Sequence, residues 1–196
     1  MIEKSQSYIN WKQSSLETSC VDCTWDVDNL DFDWQETIQT QEVDPNDEWE
    51  THSTRLKYEL AELHNSWGIH GECVKHYMCF KPKLTDGLER ALDPFLNSTY
   101  SYNLIKVTSG RQIVWHFDTY ATFVKRHGIS EDQADKIKRS IVMLTPWDFG
   151  HVIQIGKHVL SNWQAGEIYT WKGDTWHGVS NFGKKDWIAM QVTYIQ

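Results

Sequence analysis

The stretch Gln112-Ile113-Val114-Trp115-His116-Phe117-Asp118 decides how the rest of the chain is read. Its β-branched and aromatic residues suit a pleated, half-buried surface. Side chains alternate along a strand, so His116 and Asp118 project to the same face. Two ligand-type residues at that spacing can chelate a metal without distorting the backbone. A third ligand must come from elsewhere, and His177 is the best candidate. It follows the turn Lys172-Gly173-Asp174, precedes the last strand, and lies 59 residues beyond Asp118. Two histidines and one carboxylate on one face of a metal leave coordination positions open. That donor set points to non-haem Fe(II), whereas zinc favours a closed tetrahedral site. The plainer alternative is a core histidine at 116 and a turn residue at 177. Among the other histidines, His151 is the strongest rival ligand or substrate contact.

Outward from this stretch the chain reads as β structure. Strands are expected at 102–108, 111–118, 139–145, 151–155, 166–171 and 187–195, with turn chemistry between them at Ser109-Gly110, Phe149-Gly150, Ile155-Gly156 and Phe182-Gly183. One helix is expected to interrupt them at about 130–138, capped by Ser130 and Gln133. Upstream, Leu56, Leu60, Leu63 and Trp67 recur at helical spacing and predict a helix over 54–67. A shorter helix is expected at 86–92, stopped by Pro94. Short strands with glycine-rich turns, preceded by helices, predict a mainly β fold, a jelly roll with helices of the N-terminal half packed outside.

The N-terminal quarter has a different character. Between Lys12 and Arg55 lie twelve acidic residues and no lysine or arginine, so this segment accounts for the formal charge of −8 over 196 residues. We divide the chain into an acidic, tryptophan-containing arm at 1–53 and a jelly-roll domain at 54–196. The arm is expected to be irregular, anchored by Trp11, Trp25, Trp34 and Trp49 with its acids in water. The nearly neutral body argues against nucleic acid as the main partner. No apolar run approaches the roughly 20 residues that span a bilayer, and the N-terminus lacks a secretory pattern, so a soluble, cytoplasmic protein is expected. Cys20-x-x-Cys23 could form half a zinc site with Cys73 and Cys79 as the other half, although the second spacing is wide. Otherwise the four cysteines are reduced thiols.

With these residues in view, the chain resembles the Fe(II)/2-oxoglutarate-dependent oxygenase superfamily, whose signature is His-x-Asp…His on a double-stranded β-helix. Residues 139–183, with Trp147-x-x-Gly150 before a hairpin and Asn162-Trp163-x-Ala165-Gly166-Glu167 opening a strand, are similar to small microbial and phage-type members related to prolyl and aspartyl hydroxylases. The resemblance covers roughly residues 100–196 and leaves out the acidic arm. It implies that His116, Asp118 and His177 are the catalytic iron ligands. It also implies that 2-oxoglutarate and O2 are co-substrates, with decarboxylation to succinate driving hydroxylation of a small molecule, amino acid or peptide side chain.

One departure bears on the co-substrate. Many members place an arginine on the strand after the distal histidine to bind the far carboxylate of 2-oxoglutarate. Here Asp186-Trp187-Ile188-Ala189-Met190-Gln191-Val192-Thr193 contains no arginine or lysine. A buried carboxylate needs a cation or several donors. Arg139 is the expected substitute, its direction tied to Ile141 and Met143. Gln191 and Thr193 share a face that could line the interior, and Tyr102 and Lys106 are weaker candidates. Two other readings stay open. One is a cupin-like metalloenzyme that does not use 2-oxoglutarate, and the other is a non-catalytic jelly-roll binding protein.

Overall fold

The strand Trp187–Ile195 is buried along nearly its whole length, and its alternation sorts the interior into two clusters. Ile188, Met190, Val192 and Tyr194 face one cluster, while Trp187 and Ala189 face the other. A strand buried on both faces belongs in the middle of a layered structure. In the computed structural model it does lie there. The structure describes residues 15–38, 72–118, 120–173 and 175–196. The helix expected over 54–67, Trp11 and Trp49 fall outside these residues.

Among the described residues the strands are β1 (Glu17–Cys20), β2 (Gln35–Ile38), β3 (Lys75–Cys79), β4 (Thr99–Val107), β5 (Arg111–His116), β6 (Lys138–Met143), β7 (His151–Ile155), β8 (His158–Leu160), β9 (Glu167–Lys172), β10 (His177–Asn181) and β11 (Trp187–Ile195). They form a seven-stranded sheet in the order β1-β9-β6-β11-β4-β3-β2 and a four-stranded sheet in the order β5-β10-β7-β8. All pairings are antiparallel. From β4 onward the chain passes back and forth between the two sheets, which is the connectivity of a double-stranded β-helix. The fold is therefore mainly β, as expected.

The six strands expected from the sequence are all present, within a few residues at their ends. Strand 111–118 is shorter than expected and stops at His116. The expected helix at 130–138 is a 3-10 turn over Glu131–Lys136, and β6 already begins at Lys138. The helix at 86–92 is α1 (Asp86–Glu89) running into a 3-10 segment that contains Pro94. Proline lacks the N–H that a longer α-helix would need there. A helix that the sequence reading did not anticipate, α2 (Ala121–His127), ends on Gly128 in the left-handed conformation. No helix among the described residues is long and apolar enough to cross a membrane.

The described part of the acidic segment, residues 15–38, is more regular than expected. It contributes β1 and β2 to opposite edges of the large sheet. Trp25 is buried against the outer face of that sheet, and its Nε1 donates to the Leu144 carbonyl at 2.9 Å. The described acids of this segment, from Glu17 to Glu36, are all exposed. Lys138 on β6 meets Glu17 at 2.8 Å. Trp25, Leu88, Leu92 and Phe95 thus cover the apolar side chains of β4, β6 and β11 from outside. The inner cluster fills the space between the two sheets.

Candidate metal centre

His116 and His177 sit directly opposite each other in the antiparallel pair β5–β10, which brings their rings to 4.4 Å between centroids. A register shift between His177 and Val179 marks a bulge, of the kind that re-aims a side chain. Gly178 occupies it, and a Cβ there would crowd the backbone of Ile113 and Trp115. Asp118 lies two residues beyond the end of β5 but keeps the strand's alternation. One ligand atom from each of His116, Asp118 and His177 lies within 4.8 Å of the others. The residues singled out by the His-x-Asp…His spacing therefore converge.

The hydrogen bonds around the rings fix their chemistry. His116 Nδ1 donates to the Val114 carbonyl at 2.7 Å, and His177 Nδ1 donates to the Thr175 carbonyl at 2.9 Å. Each bond places the proton on Nδ1 and leaves the Nε2 lone pair free, the usual arrangement for a metal-ligating imidazole. His116 Nε2 lies 3.9 Å and His177 Nε2 3.5 Å from the Asp118 carboxylate. The His177 Nε2 is buried and has no hydrogen-bond partner among the described residues. A buried polar atom left unsatisfied is costly, and a cation held between it and Asp118 would satisfy it.

The electrostatics agree. Burial, reinforced by His177, lowers the His116 pKa to about 4 against the pull of Asp118. Burial also lowers that of His177. Both rings are neutral at physiological pH, as ligation requires. For Asp118 burial works in the opposite sense, but the Arg139 guanidinium and then the two imidazoles outweigh it and hold the carboxyl well below the usual range. Arg139 Nε donates to Asp118 Oδ2 at 2.9 Å, and the guanidinium lies 5.1 Å from the centre of the Tyr120 ring. Tyr120 adopts a left-handed backbone, φ 53°, and packs so closely on Gly173 that any side chain at 173 would collide with it. This tight packing steadies Tyr120, on which Arg139 rests.

The centre opens on a cavity of about 330 Å³ between the sheets. Ile105, Ile113, Ile141, Ile153 and Ile155 form much of its apolar wall, with Gln191, Thr37 and His76 among its polar members. Gln191 faces inward as expected, and Thr193 is buried beside Arg139 across the β6–β11 pair. Arg139 also turns inward, but Asp118 occupies its Nε, so it is not a free cation waiting for a co-substrate. Tyr102 does not reach the cavity. It pairs with Val192 and packs on the outer cluster, because the sheet's alternation turns even-numbered β4 residues away from the interior. Lys106 lies on that same face, over the rings of Trp34 and Tyr77. His151 is no rival ligand: its Nδ1 accepts from the Asp148 N–H, its Nε2 donates to the Lys185 carbonyl, and its ring stacks on Trp163. No cluster of three or more metal-ligand residues among the described residues includes a cysteine.

Sequence reasoning missed His76. It belongs to β3, which no sequence pattern announced, and burial lowers its pKa to about 4.

No protein-family model matches the sequence, and no curated protein does either. Solved structures do match. An oxidoreductase of the 2OG-Fe(II) oxygenase family from Burkholderia pseudomallei is 13% identical, with 70% of this chain and 79% of that chain covered and a TM-score of 0.40. A nickel complex of the non-haem monooxygenase ThoJ is 17% identical, over 55% of this chain and 49% of that one, with a TM-score of 0.39. A Klebsiella pneumoniae protein with a double-stranded β-helix domain is 16% identical, over 51% of this chain and 72% of that one, with a TM-score of 0.34. At these identities the likeness concerns the fold alone.

Proposed function

We propose that this chain is a metal-dependent oxygenase in which His116, Asp118 and His177 hold Fe(II), and that it uses 2-oxoglutarate and O2 to hydroxylate a small molecule or peptide side chain. The observation that carries the reading is the pair of neutral imidazoles, each with Nδ1 locked to a backbone carbonyl and Nε2 turned toward one half-buried carboxylate. Three protein donors of this kind leave room for a chelating co-substrate and for oxygen, and the metal would supply the redox chemistry. Arg139 holds one Asp118 oxygen and keeps the carboxylate ionised and oriented. Gln191 and Thr193 offer hydrogen bonds on the β11 wall, and the isoleucines around the cavity exclude water from the reacting centre.

A cupin-type metalloenzyme without 2-oxoglutarate is the second reading. It is favoured by the lack of any lysine or arginine among the described cavity-lining residues. Anaerobic titration of apoprotein with Fe(II), followed by assay for succinate from 2-oxoglutarate in air, separates the two. One iron per chain with succinate formation supports the first reading. One iron per chain with no succinate, even across a panel of amino acids and peptides, leaves the second. Failure to bind any divalent ion refutes both.

A further inference from the structure

The outer faces of the two sheets are finished differently. That of the large sheet is covered by Trp25, Leu88, Leu92 and Phe95. The small sheet, β5-β10-β7-β8, and the turns at its end carry four of the six large hydrophobic side chains exposed among the described residues. These are Phe149, Val152, Val159 and Phe182, at 80, 36, 63 and 74%. Alternation turns Val152 and Val159 outward, since Ile153 and Leu160 beside them pack on the inner cluster. Exposed apolar side chains scattered singly are ordinary, but a group on one face marks an interaction surface.

The two phenylalanines are held rigidly. Phe149-Gly150 and Phe182-Gly183 form adjacent turns at the end of the sheet remote from the metal ligands. Asn181, beside them, is four residues along β10 from His177 and so about 13 Å away. The Phe182 N–H donates to the Gly150 carbonyl at 2.9 Å. A Cβ on either Gly150 or Gly183 would collide with the backbone of the other turn. Asn181, fully buried, donates from Nδ2 to the carbonyls of Val107 and Lys185, both at 2.8 Å, and accepts from the Gly183 N–H at 2.9 Å. His151 Nε2 donates to the same Lys185 carbonyl. Buried polar groups thus fix the backbone beneath two side chains that stand in water. Rings displayed on so firm a base lose little freedom when a partner covers them.

The charges around the two turns have both signs. Asp148 precedes Phe149, and Lys184, Lys185 and Asp186 follow Gly183. Lys184, Lys185 and Asp186 are exposed, and Lys185 Nζ lies 3.8 Å from the half-buried Asp148. Two lysines and two aspartates cancel, so this rim offers no net attraction to nucleic acid, an anionic lipid surface or an acidic peptide. A two-fold axis through the phenylalanines can instead set the lysines of one copy against the aspartates of the other. An apolar centre with both signs around it is complementary to itself, as an isologous contact requires. We infer that the outer face of the small sheet, centred on Phe149 and Phe182, is the surface on which a second copy of this chain docks about a two-fold axis. The inference is independent of the reaction at the metal centre.

Sedimentation equilibrium of the full-length protein is the test. The protein should pass from monomer to dimer as its concentration rises through the micromolar range, since a patch of this size supports a weak dimer. Phe149→Ser and Phe182→Ser together should raise the dissociation constant at least hundredfold, by removing the central aromatic anchors. Both side chains lie in water in the monomer, so the double variant should keep its melting temperature and its affinity for Ni(II). A rim of one sign should also oppose self-association. Asp148→Lys with Asp186→Lys, and separately Lys184→Glu with Lys185→Glu, should each weaken the dimer about tenfold at low salt and less at high salt. In the wild type itself, amide hydrogen exchange around Phe149 and Phe182 should slow on dimerisation, whether or not a variant folds. A chain that stays monomeric at millimolar concentration overturns the inference. So does a dimer that survives the double serine substitution, or one whose amides around Phe149 and Phe182 exchange no more slowly. A dimer weakened by only one of the two charge reversals overturns the two-fold arrangement. A monomer destabilised by the serine substitutions would mean that another part of the same chain covers the face, and overturns the inference as well.

Discussion

The two faces of the large sheet are built from the same strands and do different work. Outside, Leu104, Val142, Met190 and Val192 are closed over by Trp25, Leu88, Leu92 and Phe95, and the Trp25 N–H is satisfied. Inside, the same strands present Ile105, Ile141 and Gln191 to a cavity whose wall also holds Trp171, His177 and Trp187, each with a ring nitrogen that has no hydrogen-bond partner among the described residues. A face built for stability leaves few polar groups unsatisfied. A face that receives a ligand would hold such groups in reserve, at a cost that binding returns.

Five substitutions and one titration test this contrast. The largest effect is expected on the inside. His177→Ala should lower metal affinity at least a hundredfold and abolish turnover, with a nearly unchanged melting curve of the apoprotein. A variant that still carries stoichiometric iron would break the assignment. On the outside, Leu104→Ala should cost about 2–5 kcal/mol in denaturant unfolding, since Leu104 is fully buried, while the folded fraction keeps its metal affinity. Loss of metal binding in proportion to loss of stability would mean that the two faces are not separable.

Arg139 lies at the boundary between these behaviours. Arg139→Ala should weaken metal binding roughly tenfold, because Asp118 loses the partner that orients it. The effect on 2-oxoglutarate should follow through the metal rather than independently of it. Arg139→Lys should recover part, since a point charge replaces a planar fork. Acidification offers a further measure. Burial holds His116 and His76 near pKa 4, below the 6.5 of an exposed imidazole. The unfolded chain therefore takes up protons in that window that the folded chain refuses, so apoprotein stability should fall as pH drops from 6.5 to 4. Asp118, held low, extends the loss to more acidic pH. Bound metal should steepen the dependence, because protons compete for its ligands. The smallest effect is Trp25→Phe, expected to cost about 1 kcal/mol for one buried hydrogen bond and to leave the cavity untouched. A stability curve flat between pH 7 and 4 would contradict the burial of the two imidazoles.

The sequence was most legible where periodicity and chemistry coincide. His116 and Asp118 alternate on a β-rich run, and His177 precedes the long apolar strand β11, so the triad could be read before any coordinates. Arg139 was tied correctly to the inward direction of Ile141, but its partner was not visible. Whether a guanidinium meets a substrate or a neighbouring carboxylate depends on the path of residues 117–118 after β5 ends. Tyr102 failed for a simpler reason: a strand's two faces are symmetric in the sequence until its neighbours say which is inside. β1, β2 and β3 are only four or five residues long and sit in polar surroundings. They take their order from pairing with the body, a tertiary effect that local propensity does not encode. His76, carried by β3, was hidden with them.

The ion pair between Arg139 and Asp118 has an electrical consequence. The guanidinium cancels the carboxylate, and the two histidines are neutral, so the ligand set as a whole brings no net charge to a metal. A divalent ion seated there keeps both of its positive charges, inside a cavity whose isoleucine walls offer nothing to offset them. Such a centre would select its next ligand by charge: a dianion would restore neutrality in a single binding step, a monoanion only halfway, and a neutral molecule not at all.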